Sequence, residues 1–228
     1  SELIRRVENE LQKNRHKLKK QEKELLATDN AEEFRQKGEL LTTFLHQVPN
    51  DQDQVTLDNY YTNQPITIAL DKALTPSQNA QRYFKRYQKL KEAVKYLTEL
   101  IEEAKATILY LESVETVLNQ AGLEEIAEIR EELIQTGFIR RRQREKIQKR
   151  KKPEQYLASD GKTIIYVGRN NLQNEELTFK MARKEELWFH AKDIPGSHVV
   201  ISGNLDPSDE VKTDAAELAA YFSKGRLS

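Results

Sequence analysis

The chain has 228 residues, of which 32% are charged and 37% hydrophobic, and its mean hydropathy is −0.79. A high charge content with few glycines and prolines is typical of long, solvated helices rather than of a thick globular core. The 37 basic and 37 acidic residues balance, so any attraction to nucleic acid or a membrane must be local. Because cysteine is absent, a disulfide framework and a Cys-ligated zinc site are excluded.

The sequence shows neither a membrane segment nor a leader. No apolar run approaches the roughly 20 residues that cross a bilayer, so we expect no membrane insertion. Residues 1–6 are not followed by the apolar core of a signal peptide. The chain begins inside a heptad pattern and ends shortly after a helical run, and we therefore expect it to be a piece of a longer protein.

The first predicted element is a helix that carries a coiled-coil seam. Its apolar residues follow alternating three- and four-residue steps, at Ile4, Val7, Leu11, Leu18 and Leu25. Asn14 and Gln21 fill the intervening core positions, where polar residues can fix the register at some cost in stability. A second helix is predicted over residues 31–48, and Pro49 ends it.

The next segment predicts the return of the chain. Residues 54–70 alternate apolar and polar side chains, which indicates a β-hairpin. Thr75 and Pro76 then open a helix as N-cap and first residue, and a helix continuing to about Gln120 would span roughly 65 Å. So long a helix needs a partner of similar length, and the first helix is the obvious candidate. The sequence therefore predicts a mainly α fold, a long antiparallel coiled-coil hairpin with a small α/β tip at about residues 49–75.

A shorter helix is predicted over residues 123–136, and a strongly basic segment follows it. This basic block, residues 140–152, can neutralise several phosphates, with an affinity that falls steeply as salt rises. Arginine is frequent in its first half, which suits bidentate phosphate contacts. A solvated linker is the alternative, and heparin-like or anionic lipid surfaces would attract the same charges. The candidate contacts are Arg140, Arg141, Arg142, Arg144, Lys149, Arg150, Lys151 and Lys152.

The remaining residues, 153–228, form the terminal module, which reads as a small α+β domain. Its predicted elements are a hairpin of residues 156–159 and 163–167 around the turn at Asp160 and Gly161, strands at 187–190 and 198–201, and a helix at 214–223. We divide the chain into residues 1–152, the coiled coil with its tip, and residues 153–228. We expect this second part to be incomplete at its C-terminal end.

Two polar clusters in the terminal module are candidate sites. Residues 168–174 are rich in Arg and Asn, which suit phosphates and base edges, although an Asn-rich turn that caps its own backbone is the alternative. His190 and His198, near Asp193, could suggest a metal or acid–base site, but structural hydrogen bonding is the interpretation we favour. The candidate RNA contacts are Arg169, Asn170, Asn171, Asn174, Arg183, His190, Lys192, Ser197 and His198.

The sequence gives no sign of a catalytic constellation. A Ser-His-Asp spacing, a Walker loop and a GxGxxG motif are all missing. Paired carboxylates occur only where helix-face charges are expected, as at Glu102–Glu103 and Glu131–Glu132. We therefore expect a binding fragment without enzymatic activity, without a metal and without a cofactor.

Two segments resemble the NFACT family of proteins. The terminal module contains VGRNN at 167–171, LWFHAK at 187–192 and PGSHVV at 195–200, and it looks like the NFACT-R domain. Residues 74–91 are similar to the start of the second coiled-coil arm of bacterial members. The resemblance extends over essentially the whole chain. It implies that the N-terminal NFACT-N domain and the helix-hairpin-helix segment are absent, together with the family's Asp–Arg pair for alanine tailing.

The resemblance also implies a function. Family members act in ribosome quality control: they bind a large ribosomal subunit that still holds peptidyl-tRNA, contact rRNA and tRNA, and support alanine tailing of stalled chains. It implies a cytoplasmic location, an arm formed by the coiled coil, and an RNA-contacting NFACT-R module. The alternative is a fibronectin-binding surface adhesin, since bacterial members also carry that name, which would require surface exposure without a classical signal. A purely structural spacer is a third possibility.

Overall fold

The computed structural model describes residues 1–227 and shows a mainly helical chain with two small antiparallel sheets. The predicted fold class, long helices in a hairpin with a small α+β module, is confirmed. The terminal module was expected to be incomplete at its C-terminal end, and the last residue of the sequence, Ser228, lies outside the described residues. The chain divides into two compact units: Ser1–Arg15 with the chain from Ala106 onward is the first unit, and His16–Lys105 is the second.

The helices and strands follow one another in this order: α1 Glu2–Leu26, α2 Ala31–Thr43, β1 Gln54–Asn59, β2 Gln64–Ala69, α3 Pro76–Leu118, α4 Leu123–Gln135, β3 Glu154–Leu157, β4 Ile164–Val167, α5 Asn171–Glu176, β5 Trp188–Phe189, β6 Val199–Ser202 and α6 Asp209–Tyr221. A short 3₁₀ turn at Leu45–Gln47 extends α2, and a π turn at Leu177–Met181 extends α5. The predicted second helix, residues 31–48, is therefore regular only as far as Thr43.

In the second unit, the predicted hairpin is present and supplies the core. Strands β1 and β2 pair antiparallel, with Val55 opposite Ile68. Because alternate side chains of a strand point to opposite faces, Val55, Leu57 and Ile68 share one buried face. This face packs with Leu40 and Leu41 of α2 in a single apolar cluster. On α1, Gln21 is buried at its predicted core position, while Leu18 and Leu25 are half-buried.

In the first unit, the beginning of α1 packs against the end of α3. Val7 and Leu11 of α1 form one buried cluster with Leu111 and Leu118 of α3. Helix α4 completes this cluster with its apolar side, on which Leu133 is fully buried. The three- and four-residue spacing of apolar side chains produces this packing, because it places them along one stripe of each helix.

The sheet of the terminal module has four strands in the order β3-β4-β6-β5, all antiparallel. Helix α6 covers one face, where Val211 and Ala215 pack against Ile165, Val199 and Ile201. The helix begins at Asp209 rather than at the predicted residue 214. Ser208 accounts for the difference, because its hydroxyl accepts the backbone N–H of Val211 at 3.3 Å and caps the helix.

Within residues 1–227, no helix is both long enough and apolar enough to cross a bilayer.

Candidate nucleic-acid interface

The basic block is an irregular segment that is fixed against helix α4. It contains no regular helix or strand. Glu131 of α4 accepts a hydrogen bond from Nη1 of Arg141 at Oε2, 2.9 Å away, and Nη2 of the same arginine contacts Oε1. Such bidentate Arg–carboxylate pairs fix geometry as well as charge. The block therefore follows a defined path over α4.

Glu145 fixes the turn in the middle of the basic block. Its carboxylate accepts Nε of Arg130 at 2.8 Å and the backbone N–H of Arg142 at 2.8 Å. The hydrogen bond from Arg130 is the largest of the effects that lower the pKa of Glu145, to about 2, so this carboxylate is ionised at neutral pH. Next to it, Arg144 adopts a φ of +68°, in the left-handed region that turns use.

Two of the remaining ion pairs of the block lie at the surface, while Nζ of Lys151 also lies 3.8 Å from Oε1 of the mostly buried Glu128. Nζ of Lys151 lies 2.5 Å from Oε2 of Glu124, and Nη2 of Arg142 lies 3.3 Å from Oε2 of Glu2. All four of these side chains are more than half exposed. Because exposed pairs contribute at most about 1 kcal/mol, Lys151 and Arg142 can exchange their partners for a phosphate. Arg150 donates to the neutral side chain of Gln135 at 3.0 Å and has no ion-pair partner among residues 1–227.

Of the eight predicted contacts in the block, four have neither an ion pair nor a side-chain hydrogen bond within the described part of the chain, and Lys146, which was not among the predicted contacts, is likewise exposed and unpaired there. Arg140, Arg144, Lys149 and Lys152 are all exposed. Each lacks an ion-pair partner among residues 1–227. They are held on a fixed segment, so less conformational entropy is lost when they bind a polyanion. These four side chains are the best placed of the predicted residues to meet phosphates.

The asparagines of the predicted cluster serve the fold of the module. Asn170 is buried and caps α5, since its Oδ1 accepts the backbone N–H of Gln173 at 2.9 Å. This arrangement agrees with the alternative interpretation, in which an Asn-rich segment caps its own backbone. The capped element is the short helix α5, which the sequence did not predict. Asn171 donates to Oγ of Ser113 at 2.8 Å. Asn174 is buried, and its Oδ1 accepts the backbone N–H of His198 at 3.0 Å.

Arg169 is also used internally. Its side chain is only 13% exposed and pairs with Glu125 at 3.3 Å and with Glu154 at 3.2 Å. The guanidinium carbon lies 4.2 Å from the centroid of the Phe222 ring. Direct contact of Arg169 and of the three asparagines with RNA stays a prediction, and each of them has a structural role within the module.

The two candidate histidines lie together as a pair of contacting rings. Their ring centroids are 5.3 Å apart, nearly perpendicular, and Nδ1 of His198 lies 2.6 Å from Oγ1 of Thr178. Burial, with a smaller contribution from His190, lowers the pKa of His198 to about 4, so this ring is neutral at pH 7. Across residues 1–227, no three His, Asp or Glu side chains gather in a way that could hold a metal ion.

Three further candidates differ in exposure. Ser197 is buried, and its backbone N–H donates to the carbonyl of Phe222 at 3.2 Å. Arg183 and Lys192 are exposed and have no ion-pair partner in the described part of the chain. Arg183 precedes β5 and Lys192 follows it, so they flank the strand that carries Trp188. Of these three, only Arg183 and Lys192 present a charge to the solvent.

Sequence reasoning missed the acidic side of helix α4. Glu131 and Glu132 were interpreted as helix-face charges, yet both are buried, and burial raises the pKa of Glu132 to about 7. Five glutamates within the ten residues 123–132 precede a basic block of similar length, and this complementarity was the available signal. Trp188, half exposed on an edge strand, was interpreted only as a strand residue.

Comparison with known proteins matches residues 1–226 to one family. A family model for the NFACT N-terminal and middle domains matches residues 1–152. A second model, for the NFACT protein RNA binding domain, matches residues 152–226. Together the two models leave only the last two residues unmatched.

Curated relatives agree with this assignment. The chain is 96% identical over all of its 228 residues to the Rqc2 homolog RqcH of Streptococcus pneumoniae strain D39, and spans 41% of that protein. It is 44% identical, over 99% of its length, to the Rqc2 homolog RqcH of Bacillus subtilis strain 168, of which it spans 40%. The chain therefore covers about two fifths of the length of the curated relatives it matches.

A solved structure shows the same fold. The C-terminal part of the fibronectin/fibrinogen-binding protein from Streptococcus suis has a TM-score of 0.81 and 65% sequence identity to this chain. The match covers the entire chain and 78% of that structure. With family models matching from residue 1 to residue 226 and a relative of this fold, the chain belongs to the NFACT family.

Proposed function

We propose that this chain is the RNA-binding portion of a cytoplasmic ribosome quality control factor, and that it binds without catalysing a reaction. The observation that carries the proposal is that four of the predicted contacts on the fixed basic block are exposed and have no ion-pair partner within residues 1–227: Arg140, Arg144, Lys149 and Lys152. The RNA-binding family model and the relatives named as Rqc2 homologs support it. The expected partners are the large ribosomal subunit with peptidyl-tRNA, its rRNA, and tRNA during alanine tailing.

The number of cations in the block predicts how steeply salt weakens RNA binding. Each phosphate that a cation neutralises releases condensed counterions. The logarithm of the RNA affinity therefore falls linearly with the logarithm of the salt concentration. Four such contacts contribute a slope of about −3 to −4. The surface-paired Arg142 and Lys151 can add to this slope when a phosphate replaces their carboxylate partners.

The test is a charge reversal that leaves the anchoring pairs intact. In the 228-residue chain, R140E, R144E, K149E and K152E are combined, while Arg141 and Glu145 remain. Filter binding of tRNA and of an rRNA fragment is measured between about 50 and 200 mM salt. We expect affinity to fall about 100-fold at the lower salt and the salt slope to flatten by about 3.

A matched control variant distinguishes the effect of the basic block on RNA affinity from the effect of the net charge of the chain. Lys17, Lys19, Lys20 and Lys23 on α1 are exposed and unpaired within residues 1–227. Changing these four to Glu alters the net charge of the chain equally and is expected to reduce affinity less than fivefold. Equal losses in the two variants, or an unchanged affinity in the first, would refute the role of the block.

The ribosomal part of the proposal has its own test. Cosedimentation of the 228-residue chain with large ribosomal subunits is expected for subunits that hold peptidyl-tRNA. Binding is expected to weaken with the same four-residue reversal. A chain that binds free RNA but never sediments with subunits would restrict the proposal to general RNA binding.

Fibronectin binding is the second candidate function, favoured by the likeness to the Streptococcus suis fibronectin/fibrinogen-binding protein. Binding of the chain to immobilised fibronectin at about 150 mM salt, where surface charges are screened beyond about 8 Å, would support it. Loss of that binding in the basic-block variant would mean that charge alone carries it. The two functions are not exclusive, because they can use different surfaces.

A further inference from the structure

The terminal sheet has one face covered by helix α6 and another that carries aromatic rings. Phe189 pairs with Val199 and packs with the cluster under α6. Since successive residues of a strand point to opposite faces, Trp188 lies on the other face, opposite Val200. His190 follows Trp188 by two residues, and His198 precedes Val200, the partner of Trp188, by two residues. The same alternation therefore places both histidines on the face of Trp188. Trp188 is 50% exposed.

The three rings form one ordered cluster. The ring planes of Trp188 and His190 are parallel within 4°, with centroids 5.7 Å apart. The His198 ring stands edge-on to both, 5.2 Å from Trp188 and 5.3 Å from His190. Edge-to-face and offset parallel contacts at these distances are favourable aromatic geometries. The cluster therefore holds the indole in one orientation while half of its surface remains open.

His198 is fixed from the adjacent helix. Its Nδ1 lies 2.6 Å from Oγ1 of Thr178, in the π turn that follows α5. Its backbone N–H donates to Oδ1 of the buried Asn174 at 3.0 Å. Asn174 is itself held close to Gly168, where a Cβ atom would come within 2.1 Å of its Oδ1. The asparagine-rich segment thus positions the ring cluster from behind.

The segments on either side of the cluster, residues 183–186 and 192–193, carry three cations and three carboxylates, and one of the carboxylates, Glu186, accepts the backbone N–H groups of Arg183 and Gly203. Arg183 and Lys184 precede β5, and Lys192 follows His190 by two residues. All three are exposed and lack an ion-pair partner in residues 1–227. An open aromatic face flanked by cations matches a nucleotide, in which a flat base adjoins a phosphate on either side. An apolar peptide would leave these charges unused.

We propose that Trp188, supported by His190 and His198, forms a stacking site for one unpaired nucleobase of RNA. This inference rests on the proposed RNA-binding function and adds the chemical group that the terminal module recognises. Unpaired bases expose their π-faces, whereas the bases of a duplex are stacked internally. The site therefore selects single-stranded segments, loops and ends, while the basic block binds phosphates of either form.

Tryptophan fluorescence tests the proposal directly, because Trp188 is the single tryptophan of the sequence. Intrinsic fluorescence of the 228-residue chain is followed during titration with a single-stranded RNA pentanucleotide and with a duplex of equal phosphate number. We expect saturable quenching by the single strand and little quenching by the duplex, although both bind at low salt. Equal quenching by the two, or none by the single strand, would overturn the stacking site.

Affinities of labelled RNA for variants complete the test. W188A is expected to weaken single-strand binding about 10-fold or more and duplex binding less than twofold. W188F, which keeps an aromatic face, is expected to retain most of the affinity. Y221A is the matched control, since Tyr221 is 47% exposed on α6, which packs on the other face of the sheet, and no change is expected.

The outcomes separate this site from the function on which it rests. Salt-dependent RNA binding with W188A equal to the unchanged chain would defeat the stacking site and leave the proposed function standing. No binding of any RNA at low salt would defeat both. An equal loss for single strands and duplexes in W188A would assign Trp188 to the fold of the module, because a stacking contact discriminates between them.

Discussion

The guanidinium of Arg169 lies 4.2 Å above the ring of Phe222 and joins the helical part of the first unit to the terminal module. Its two carboxylate partners come from either side, Glu125 from α4 and Glu154 from β3. An arginine in such a position has its donors used by the protein. Arg169 therefore stabilises the arrangement of α4, β3 and the end of α6.

The first prediction concerns the stability that Arg169 provides. R169A removes two ion pairs and a cation–π contact, and leaves Glu125 and Glu154 without an ion-pair partner within residues 1–227. We expect the free energy of unfolding to fall by about 2 kcal/mol, measured by urea denaturation. R183A is the control, because Arg183 is exposed and unpaired within the described residues, and its stability is expected to match that of the unchanged chain. Equal stability of R169A would show that Arg169 is not a structural clamp.

The second prediction is a dependence of stability on pH that originates at Glu132. Burial raises the pKa of this carboxyl from about 4.5 to about 7 in the folded state. Between these values the folded state holds a proton that the unfolded state has released, so stability falls as pH rises through this window. The change amounts to roughly 3 kcal/mol at most. E132Q is expected to equal the unchanged chain near pH 4 and to exceed it above pH 7.

The neighbouring Glu131 provides a control of opposite sign. The hydrogen bond from Arg141 lowers the pKa of Glu131, so its contribution is present above about pH 4.5 and is lost as pH falls below that value. E131Q is therefore expected to destabilise the chain at pH 7, where E132Q stabilises it. Chemical denaturation of both variants at pH 4, 6 and 8 measures the difference. Parallel pH profiles for E132Q and the unchanged chain would contradict the assignment.

The third prediction concerns the order of the basic block. E145Q weakens the charged hydrogen bonds to Arg130 and to the backbone N–H of Arg142. We expect hydrogen exchange of the Arg142 amide to become about 10-fold faster, with global stability little changed. Because the pKa of Glu145 is lowered to about 2, the anchor persists above about pH 4.5 and weakens as pH falls toward 2.

The control for E145Q is the same substitution at an exposed glutamate outside the basic block. Glu103 of α3 is exposed and has no ion-pair partner among residues 1–227. E103Q is expected to leave the exchange of the Arg142 amide unchanged. If E145Q also leaves it unchanged, the block is held by Arg141 and not by Glu145.

The fourth prediction concerns a buried amide in the second unit. Nδ2 of Asn79 donates to the carbonyls of Asp71 at 3.1 Å, Leu74 at 3.3 Å and Thr75 at 3.2 Å, and its Oδ1 accepts the N–H of Asp71 at 2.8 Å. N79A removes all four of these hydrogen bonds from a buried side chain, so we expect the free energy of unfolding, measured by thermal unfolding, to fall by about 2–3 kcal/mol. Q81A, at an exposed neighbour, is the control and should change stability by less than about 0.5 kcal/mol.

Local chemistry explains which elements the sequence predicts well. Residues 54–70 alternate with period two, and the paired strands place Val55 and Ile68 inside as that period requires. Helix α3 begins at Pro76 and ends at Leu118, close to the predicted Gln120, because Thr75 caps it and its apolar spacing stops there. Such features depend on neighbours a few residues apart, and these are visible in a sequence.

The use of the polar residues depends on distant partners. Asn170 and Arg169 have the composition of an RNA-contacting loop, yet Glu128 and Glu125 of α4, more than forty positions earlier, hold them inside the fold. Likewise, the sequence identifies Arg140 to Lys152 as basic but not which of these cations α4 neutralises. A charge is available for binding only when no folded neighbour compensates it.

By itself the sequence determined the period of each helix and strand, the place of the basic block and the resemblance to a family, since all three depend on residue order alone. The tertiary structure decided which cations remain free, which asparagines are buried and that Trp188 stands beside two histidines on an uncovered part of the sheet. The physical reason is that burial and pairing are set by segments far apart in the chain, whose approach is fixed only when the apolar faces of the helices and the sheet pack together.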